Sequence, residues 1–258
     1  MDSPRPIVVH IHLFKNAGTS VDAGLEAHFA SEWETFDQPE GGTFGQQRLR
    51  SWLTEKPGVS AFSSHQLRPP LTSDDEFEFV PIVFLRHPLD RIRSAFDFES
   101  RQGPQTPSAQ IASETNFSEW VEFHRSKNSS QCRNFHVMSL SQLRDDETGI
   151  PRPGVSADDH LQSAKEFLSS LETYGIVEHY DESWQRLREV IQQHFPSFAG
   201  ASNRKNITPD RSASVEARLD DMRSQLGIKT FRSLRETNEL DLELFRWASR
   251  RFVRASQE

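Results

Sequence analysis

Residues 7–20 of the chain read IVVHIHLFKNAGTS, a hydrophobic strand that runs into a polar turn. The β-branched content of its first half is typical of a buried strand, and Val21, Leu25 and Phe29 then repeat at helical spacing. A strand, a glycine-containing turn and a helix in this order place backbone N–H groups around an anion. We therefore predict a phosphate-binding turn in which Lys15 reaches over the bound oxygens.

A second strand, turn and helix follow at residues 80–94, which read VPIVFLRHPLDRIRS. Pro88 suits the first residue of a helix because that position needs no N–H. Arg86 offers a planar fork to a phosphate and Ser94 offers a hydroxyl. The alternative is that Arg86 pairs with a carboxylate and that Ser94 is an ordinary helix serine. Two such turns together indicate a ligand with two phosphate-like ends.

The first turn differs from the common nucleoside triphosphate loop, G-x-x-x-x-G-K-[ST]. In that loop the lysine follows the glycines, whereas here Lys15 precedes Gly18. Gly18 lets the backbone approach an anion closely, and Thr19 and Ser20 add hydroxyl donors beside the first amides of the helix. The order of residues therefore favours a different class of anion-binding protein.

The two motifs are K-x-A-G-T-S and L-R-x-P-x-[DE]-R-x-x-S. They resemble the 5′-phosphosulfate loop and the 3′-phosphate motif of the sulfotransferases that use 3′-phosphoadenosine 5′-phosphosulfate. The chain is most similar to the branch that contains the carbohydrate 2-O-sulfotransferases and their bacterial relatives. Later blocks extend the resemblance over most of the chain: Phe117-x-x-Trp120-Val121, Asn128-x-x-Gln131-x-Arg133, residues 174–183, and Asn238-x-x-Asp241.

This resemblance implies an α/β fold of three layers, the P-loop-like sulfotransferase fold, with a mostly parallel central sheet flanked by helices. We expect residues 1–258 to form a single domain. The hydrophobic runs predict strands near residues 7–13, 58–64, 80–86 and 173–178. Helices are expected to begin near Gly18, Pro88, Phe117, Asp158, Asp181, Ser214 and Glu239.

The resemblance also implies which residues bind the donor. The 5′-phosphosulfate would be held by the first turn, which consists of Lys15, Asn16, Ala17, Gly18, Thr19 and Ser20. Arg86 and Ser94 would bind the 3′-phosphate. Lys15 would in addition neutralise the charge that grows on the leaving phosphate, which makes it a catalytic residue.

A general base is expected at the end of another strand. Residues 58–65 read GVSAFSSH and place His65 at a carboxyl end, where ligands of open α/β sheets gather. An imidazole is largely neutral at pH 7 and can accept a hydroxyl proton, and the catalytic histidine of the resembled family also follows the second strand. The second candidate is His12, which shares a strand face with His10 and lies close to the first turn. Alternatively, His65 only caps the end of its strand and has no catalytic role. Another histidine, His87, is expected to cap a helix.

Three polar stretches, residues 100–114, 144–159 and 199–214, have the composition of loops. Loops of this length often form lids or substrate walls, and we expect lids in the first and third. In the third, Arg204, Lys205 and Arg211 could close over the phosphates of the donor. Solvated surface charge is the alternative.

Composition excludes several functions. The formal net charge of −8 argues against a nucleic-acid partner, which requires a basic field. A single cysteine, Cys132, excludes an internal disulfide and a cysteine-based zinc site. No spacing such as H-E-x-x-H is present, so no metal is expected.

Hydropathy predicts no membrane span, because no apolar run approaches about 20 residues. The first residues, MDSPRP, do not resemble a signal peptide. Eukaryotic proteins of the resembled branch usually carry an apolar Golgi anchor. Because this sequence contains no such apolar run, we expect a cytoplasmic enzyme from a bacterium.

The predicted reaction is in-line transfer of a sulfuryl group from 3′-phosphoadenosine 5′-phosphosulfate to a hydroxyl-bearing acceptor, a saccharide or another small metabolite. Two alternatives stay open at this point. One is a nucleotide-binding, kinase-like phosphotransferase, and the other is a non-catalytic protein that binds the donor or its product, 3′-phosphoadenosine 5′-phosphate. The sequence does not predict the oligomeric state.

Overall fold

The computed structural model describes residues 3–200 and 214–255. These residues form six strands, which are β1 (Arg5–Ile11), β2 (Trp33–Thr35), β3 (Ala61–Ser64), β4 (Phe77–Ile82), β5 (Phe84–Leu85) and β6 (Gly175–Ile176). Four of them make a sheet in the order β2-β3-β1-β4, and β5 pairs with β6. All of these pairings are parallel. Since only Val83 separates β4 from β5, β6 continues the sheet at its far edge.

Ten α-helices lie in the same described ranges. They are α1 (Gly18–Phe29), α2 (Gln46–Glu55), α3 (Pro88–Gln102), α4 (Pro107–Glu114), α5 (Phe117–Ser126), α6 (Phe135–Leu140), α7 (Ala157–Ser170), α8 (Tyr180–His194), α9 (Val215–Thr237) and α10 (Glu239–Arg254). Gly227 has a non-helical conformation and kinks α9.

Strand β1 lies at the centre of the sheet and is buried on both faces. Ile7, Val9 and Ile11 pack into a core formed with α2, α6, α7 and α10. Val8, on the opposite face, packs into a second core formed with α1 and α8. A third cluster joins α3, α4, α5 and α9 to one another. Helices therefore cover both faces of a parallel sheet, as the sequence predicts.

The predicted strands at 7–13, 58–64, 80–86 and 173–178 all exist, although each is shorter or shifted by a few residues. The expected helix starts agree within one residue. The edge strand β2 was not predicted because it has only three residues. Helices α2, α4 and α6 were also not predicted.

The loop prediction for residues 100–114 is wrong. The end of α3 and the whole of α4 occupy this stretch. Its Pro, Ser and Gln content suggested a loop, but Pro107 begins α4 and the Thr106 hydroxyl accepts the Ala109 N–H as a helix cap. Residues 144–156 do lie outside helices. Most of the third stretch, residues 201–213, lies outside the described residues.

The motif residues Asn238 and Asp241 are part of the scaffold. The amide of Asn238 donates to the carbonyl oxygen of Cys132 at 2.8 Å. The Asp241 carboxylate accepts the N–H groups of His136 and Val137 at 2.9 and 2.8 Å, at the first turn of α6. Burial raises the pKa of Asp241 to about 6, and the two N–H groups oppose this shift. The start of α10 therefore holds the start of α6.

No helix in the described ranges is both long enough and apolar enough to cross a bilayer.

We expect Asp241→Ala to destabilise the fold. The substitution leaves two buried N–H groups without acceptors, which should lower the free energy of unfolding by about 2–5 kcal/mol. Glu239→Ala, an exposed carboxylate on the same first turn of α10, is the matched control and should cost a few tenths, roughly 0.3 kcal/mol. Urea unfolding of both variants checks the comparison, and equal losses would contradict it.

Candidate active site

The first turn joins β1 to α1 and has a strained backbone. Lys15 and Ala17 both adopt left-handed conformations with φ of 64°. Ala17 is the N-cap residue of α1, and no side chain caps the helix there. Within the described ranges, the N–H groups of Gly18 and Thr19 have no protein acceptor. The positive end of α1 thus carries free amides, which suit an anion.

The side chain of Asn16 holds this turn in place through two hydrogen bonds inside the protein. Asn16 is only 1% exposed, and its amide donates to the carbonyl oxygen of Phe14 at 3.3 Å. Its Oδ1 can only accept, so Nε2 of His136, 3.1 Å away on α6, is the donor. Burial lowers the pKa of His136 well below its ordinary value. Asn16 can therefore reach a ligand through its backbone, whereas its side chain is used inside the protein.

Arg86 connects the second turn to the first. Its Nη1 donates to the carbonyl oxygen of Lys15 at 3.2 Å, and its Nε donates to Asp90 at 2.7 Å. Arg218 from α9 also pairs with Asp90, at 2.8 Å. Burial would raise the pKa of Asp90, but the two guanidinium groups outweigh it and lower that pKa. The carboxylate pairing that the sequence left open therefore exists, and it orients Arg86 toward the lysine turn.

Ser94 lies on the face of α3 that is turned toward the first turn. Phe98 follows it by four residues, so the two share a helix face. The Nζ of Lys15 lies 4.2 Å from the centre of the Phe98 ring, a cation–π contact. Lys15, Arg86 and the Ser94 face of α3 consequently lie together at one edge of the sheet.

His87 does not cap α3, contrary to expectation. It is the N-cap residue, but its side chain makes no capping hydrogen bond. Its backbone N–H instead donates to Oε1 of Glu178 at 2.9 Å, which ties the second turn to the segment after β6. Burial raises the pKa of Glu178.

His65 follows β3 and has a defined tautomer. Its Nδ1 lies 3.0 Å from the carbonyl oxygen of His12, which can only accept, so Nδ1 carries the proton and Nε2 has the lone pair. The N–H of His65 and the hydroxyl of Ser64 both donate to Oδ1 of Asp37, at 2.9 and 2.8 Å. Desolvation by the surrounding protein, followed by the charge of His12, lowers the pKa of His65, while the negative charge of Asp37 raises it. An exposed imidazole with a free Nε2 can accept a proton at neutral pH.

His12, the second candidate base, lies directly beside His65. The ring centroids are 3.9 Å apart. Nδ1 of His12 lies 2.8 Å from Oδ2 of Asp22, and Nδ1 of His10 lies 2.7 Å from Oδ1 of the same carboxylate. A Cβ at Gly18 would approach the His12 ring to 2.0 Å, so only glycine fits beside it. Burial lowers the pKa of His12, and its hydrogen bond to Asp22 opposes this shift.

The trio of His10, His12 and Asp22 is a group that could hold a metal ion, which sequence spacing did not predict. Its potential ligand atoms lie within 4.8 Å of one another. Ligands of a tetrahedral zinc ion, each about 2.0–2.1 Å from the metal, lie about 3.3 Å apart. The nitrogen–oxygen distances of 2.7 and 2.8 Å are shorter and fit hydrogen bonds.

Two arginines, Arg68 and Arg144, have charges that influence each other, and Arg68 contacts the backbone of His65. Nη1 of Arg68 donates to the carbonyl oxygen of His65 at 2.8 Å. Arg144 is buried and donates to the carbonyl oxygens of Ser141 and Gly149. Burial lowers the pKa of each guanidinium to about 10. Asp37 and these arginines were not predicted, because no motif contains them.

The expected donor contacts of Arg204, Lys205 and Arg211 lie outside the described residues.

Comparison with known proteins shows the family to which the chain belongs. The model of the family described as "Sulfotransferase family" matches residues 54–248, which is most of the chain and includes both His65 and the Arg86 turn. The chain belongs to this family. An uncharacterized protein from Archaeoglobus fulgidus is 29% identical over 255 residues, which is 93% of this chain and 95% of the relative. That similarity extends across nearly the whole length of both proteins.

We expect Gly18→Ala to be destabilising and His12→Ala to relieve the strain. The new methyl group would overlap the imidazole of His12, and forced overpacking costs about 1–3 kcal/mol. In the double variant the ring is absent, so the cost of Gly18→Ala should fall by more than half. A double-mutant cycle measured by urea unfolding tests this coupling, and additive losses would exclude it.

Proposed function

We propose that this sulfotransferase moves a sulfuryl group from 3′-phosphoadenosine 5′-phosphosulfate to a hydroxyl of an acceptor. One observation carries the proposal: Nη1 of Arg86 donates to the carbonyl oxygen of Lys15, so the two anion-binding turns lie in contact. A donor with a phosphosulfate and a 3′-phosphate needs two anion sites within the reach of one ligand, and two adjacent turns can supply them. Membership of the sulfotransferase family supports the same reaction.

The donor contacts are assigned by the resemblance and supported by the local chemistry. The P-loop-like first turn, residues 15–20, would hold the 5′-phosphosulfate, and the free amides of Gly18 and Thr19 fit an anion there. Arg86 and Ser94 would hold the 3′-phosphate. Two of the five N–H groups of Arg86 remain for a ligand beyond its bonds to Lys15 and Asp90. Arg204 and Lys205 are proposed to close over the phosphates.

The transfer follows an in-line course by analogy with phosphoryl transfer. A bond forms between the acceptor oxygen and sulfur while the bond from sulfur to the 5′-phosphate oxygen breaks. Lys15 and the first amides of α1 stabilise the negative charge that develops on that phosphate.

His65 acts as the general base. Its Nε2 takes the proton from the acceptor hydroxyl as that oxygen attacks sulfur. The carbonyl oxygen of His12 holds the Nδ1 proton and keeps the lone pair on Nε2. The ring then returns the proton to water, which reaches it because the side chain is exposed.

A saccharide or a small metabolite is the proposed acceptor, in keeping with the resemblance to the carbohydrate 2-O-sulfotransferase branch. Arg68, which donates to the carbonyl oxygen of His65, supplies a positive charge next to that residue that suits an anionic acceptor. The net charge of −8 disfavours a long polyanion.

A transfer assay tests the proposal directly. Purified protein is incubated with donor carrying labelled sulfate and with an extract of the source cell. Labelled product supports the proposal and identifies the acceptor. Transfer of labelled phosphate from ATP with magnesium, and none of sulfate, would favour the kinase-like alternative. Tight binding of 3′-phosphoadenosine 5′-phosphate with no transfer would favour the non-catalytic one.

We expect His65→Ala to lower turnover by about 10²–10⁴-fold, the usual size for loss of a proton-transfer group. Lys15→Ala should lower it by about 10²–10³-fold, because the developing negative charge loses its stabilising cation. His194→Ala, which removes an imidazole paired with Glu78, is the control and should keep normal turnover. Since the pKa of His65 is lowered from 6.5, wild-type activity should fall only below pH 6.5 on acidification. Near-normal activity of His65→Ala would place the base elsewhere.

Arg86→Ala should mainly weaken donor binding. Loss of charge-assisted hydrogen bonds at the 3′-phosphate, and of the bond that holds the Lys15 turn, should raise the Kd for 3′-phosphoadenosine 5′-phosphate by about tenfold or more. Arg93→Ala, which removes an arginine on α3 that is paired with Asp97, is the matched control. Calorimetry measures both, and an unchanged affinity in Arg86→Ala removes this residue from the site.

A further inference from the structure

Asp22 is a carboxylate on α1 that is shared by two imidazoles. Its two oxygens accept from Nδ1 of His10 and Nδ1 of His12, at 2.7 and 2.8 Å. His10 is 1% exposed, while Asp22 keeps 18% of its side chain accessible. The His12 ring in turn lies against His65. A row of rings therefore leads from the interior of the sheet to the exposed candidate base.

We propose that Asp22 is a positioning residue for sulfuryl transfer: through His12 it fixes the ring of His65 and supplies the negative charge that balances the imidazolium formed there. This inference rests on the proposed function. It adds a residue from α1 to a site that the motifs placed on the turns after β1, β3 and β5.

The hydrogen bonds define the protonation of the row. Because a carboxylate only accepts, both Nδ1 atoms that face Asp22 carry protons. His12 is thus held at Nδ1 by Asp22, while its backbone carbonyl accepts from Nδ1 of His65. The side chain and the backbone of one residue therefore orient the two adjacent rings, and His65 retains its lone pair on Nε2.

The charged groups that face the rings, within the described ranges, come from three elements. The facing groups are His10 from β1, Asp22 from α1 and Asp37 from the segment after β2, with Arg68 bonded to the backbone of His65. Burial would raise the pKa of Asp22, but the two imidazoles outweigh it and hold that pKa well below its usual range. Asp22 is therefore ionised at neutral pH. When His65 takes a proton, Asp22 and Asp37 are the negative charges that favour it.

His10, the other imidazole bonded to Asp22, fixes the orientation of that carboxylate. His10 fills the other oxygen of Asp22, so the carboxylate cannot rotate away from His12. Ser63 lies 3.3 Å from the same Nδ1 and borders it on β3. Neighbouring strands of the central sheet thus fix the carboxylate, and α1 carries it.

Asp22→Asn tests the inference because it keeps the shape and removes the charge. Loss of a nearby negative charge disfavours the imidazolium, so the midpoint for titration of His65 should fall by about half a pH unit or more. The acid limb of the kcat profile should move to lower pH by a similar amount, and kcat should fall about 10–100-fold. Imidazole NMR and a pH-rate profile measure these effects. Glu78→Gln, which removes the carboxylate beside His194, is the matched control and should change neither.

The inference is overturned if Asp22→Asn leaves the titration of His65 and the pH profile unchanged while only the Tm falls. A measurement on the wild-type protein covers the case in which the variant does not fold. Nitrogen-15 NMR at neutral pH should show the proton of both His12 and His65 on Nδ1, and a proton on Nε2 of His65 would also overturn it. So would a stoichiometric divalent metal in the purified wild-type protein that Asp22→Asn loses.

The two ideas fail in different ways. If the wild-type protein transfers no sulfuryl group, the proposed function fails whatever the titrations show. If the wild-type protein is active and Asp22→Asn retains its pH profile, only the role of Asp22 is lost. Affinity for 3′-phosphoadenosine 5′-phosphate should be the same in both proteins, because Asp22 faces the imidazoles.

Discussion

The contact between Arg86 and the backbone of Lys15 is the constraint on which the site depends. Parallel neighbouring strands end at the same edge of a sheet, so the turns after β1 and β5 are brought close together by topology alone. The guanidinium converts this proximity into a fixed geometry, because it spans from Asp90 on α3 to the carbonyl oxygen of Lys15. Burying such a cation is costly without a partner. Asp90, supported from α9 by Arg218, makes the buried arginine tolerable.

The proposed anion site consists of local groups, whereas the overall charge of the molecule is negative. With a net charge of −8, long-range attraction of an anionic donor is absent. Several carboxylates also lie close by, and those of Asp22 and Asp90 have lowered pKa values. Asp22 is bound to two imidazoles, and Asp90 is bound to two guanidinium groups. Within the described ranges, the backbone amides of Gly18 and Thr19 at the start of α1 donate to no protein acceptor, and such groups act on an anion only at short range.

Much of this arrangement could be predicted from the sequence. Local patterns were sufficient where the signal lies within a few residues: β1 and α1 are read from periodicity, and the Arg86 turn from its proline and its preceding strand. Prediction failed where composition and capping disagreed, as in α4, which has a loop-like composition but a threonine cap and a proline start. It also failed for contacts between distant residues. His136 on Asn16, and Asp22 between two imidazoles, follow no motif because their partners come from separate elements.

The hydrogen bond from His136 to Asn16 has a consequence for biosynthesis. The turn itself is complete within the first 20 residues, yet the side chain that holds Asn16 comes from His136, and Asp241 in turn fixes the backbone of His136. Chains emerge from the ribosome amino end first. The lysine turn is therefore translated long before the residues that hold it in place. A nascent protein can hold this turn in its mature geometry only when synthesis is nearly finished.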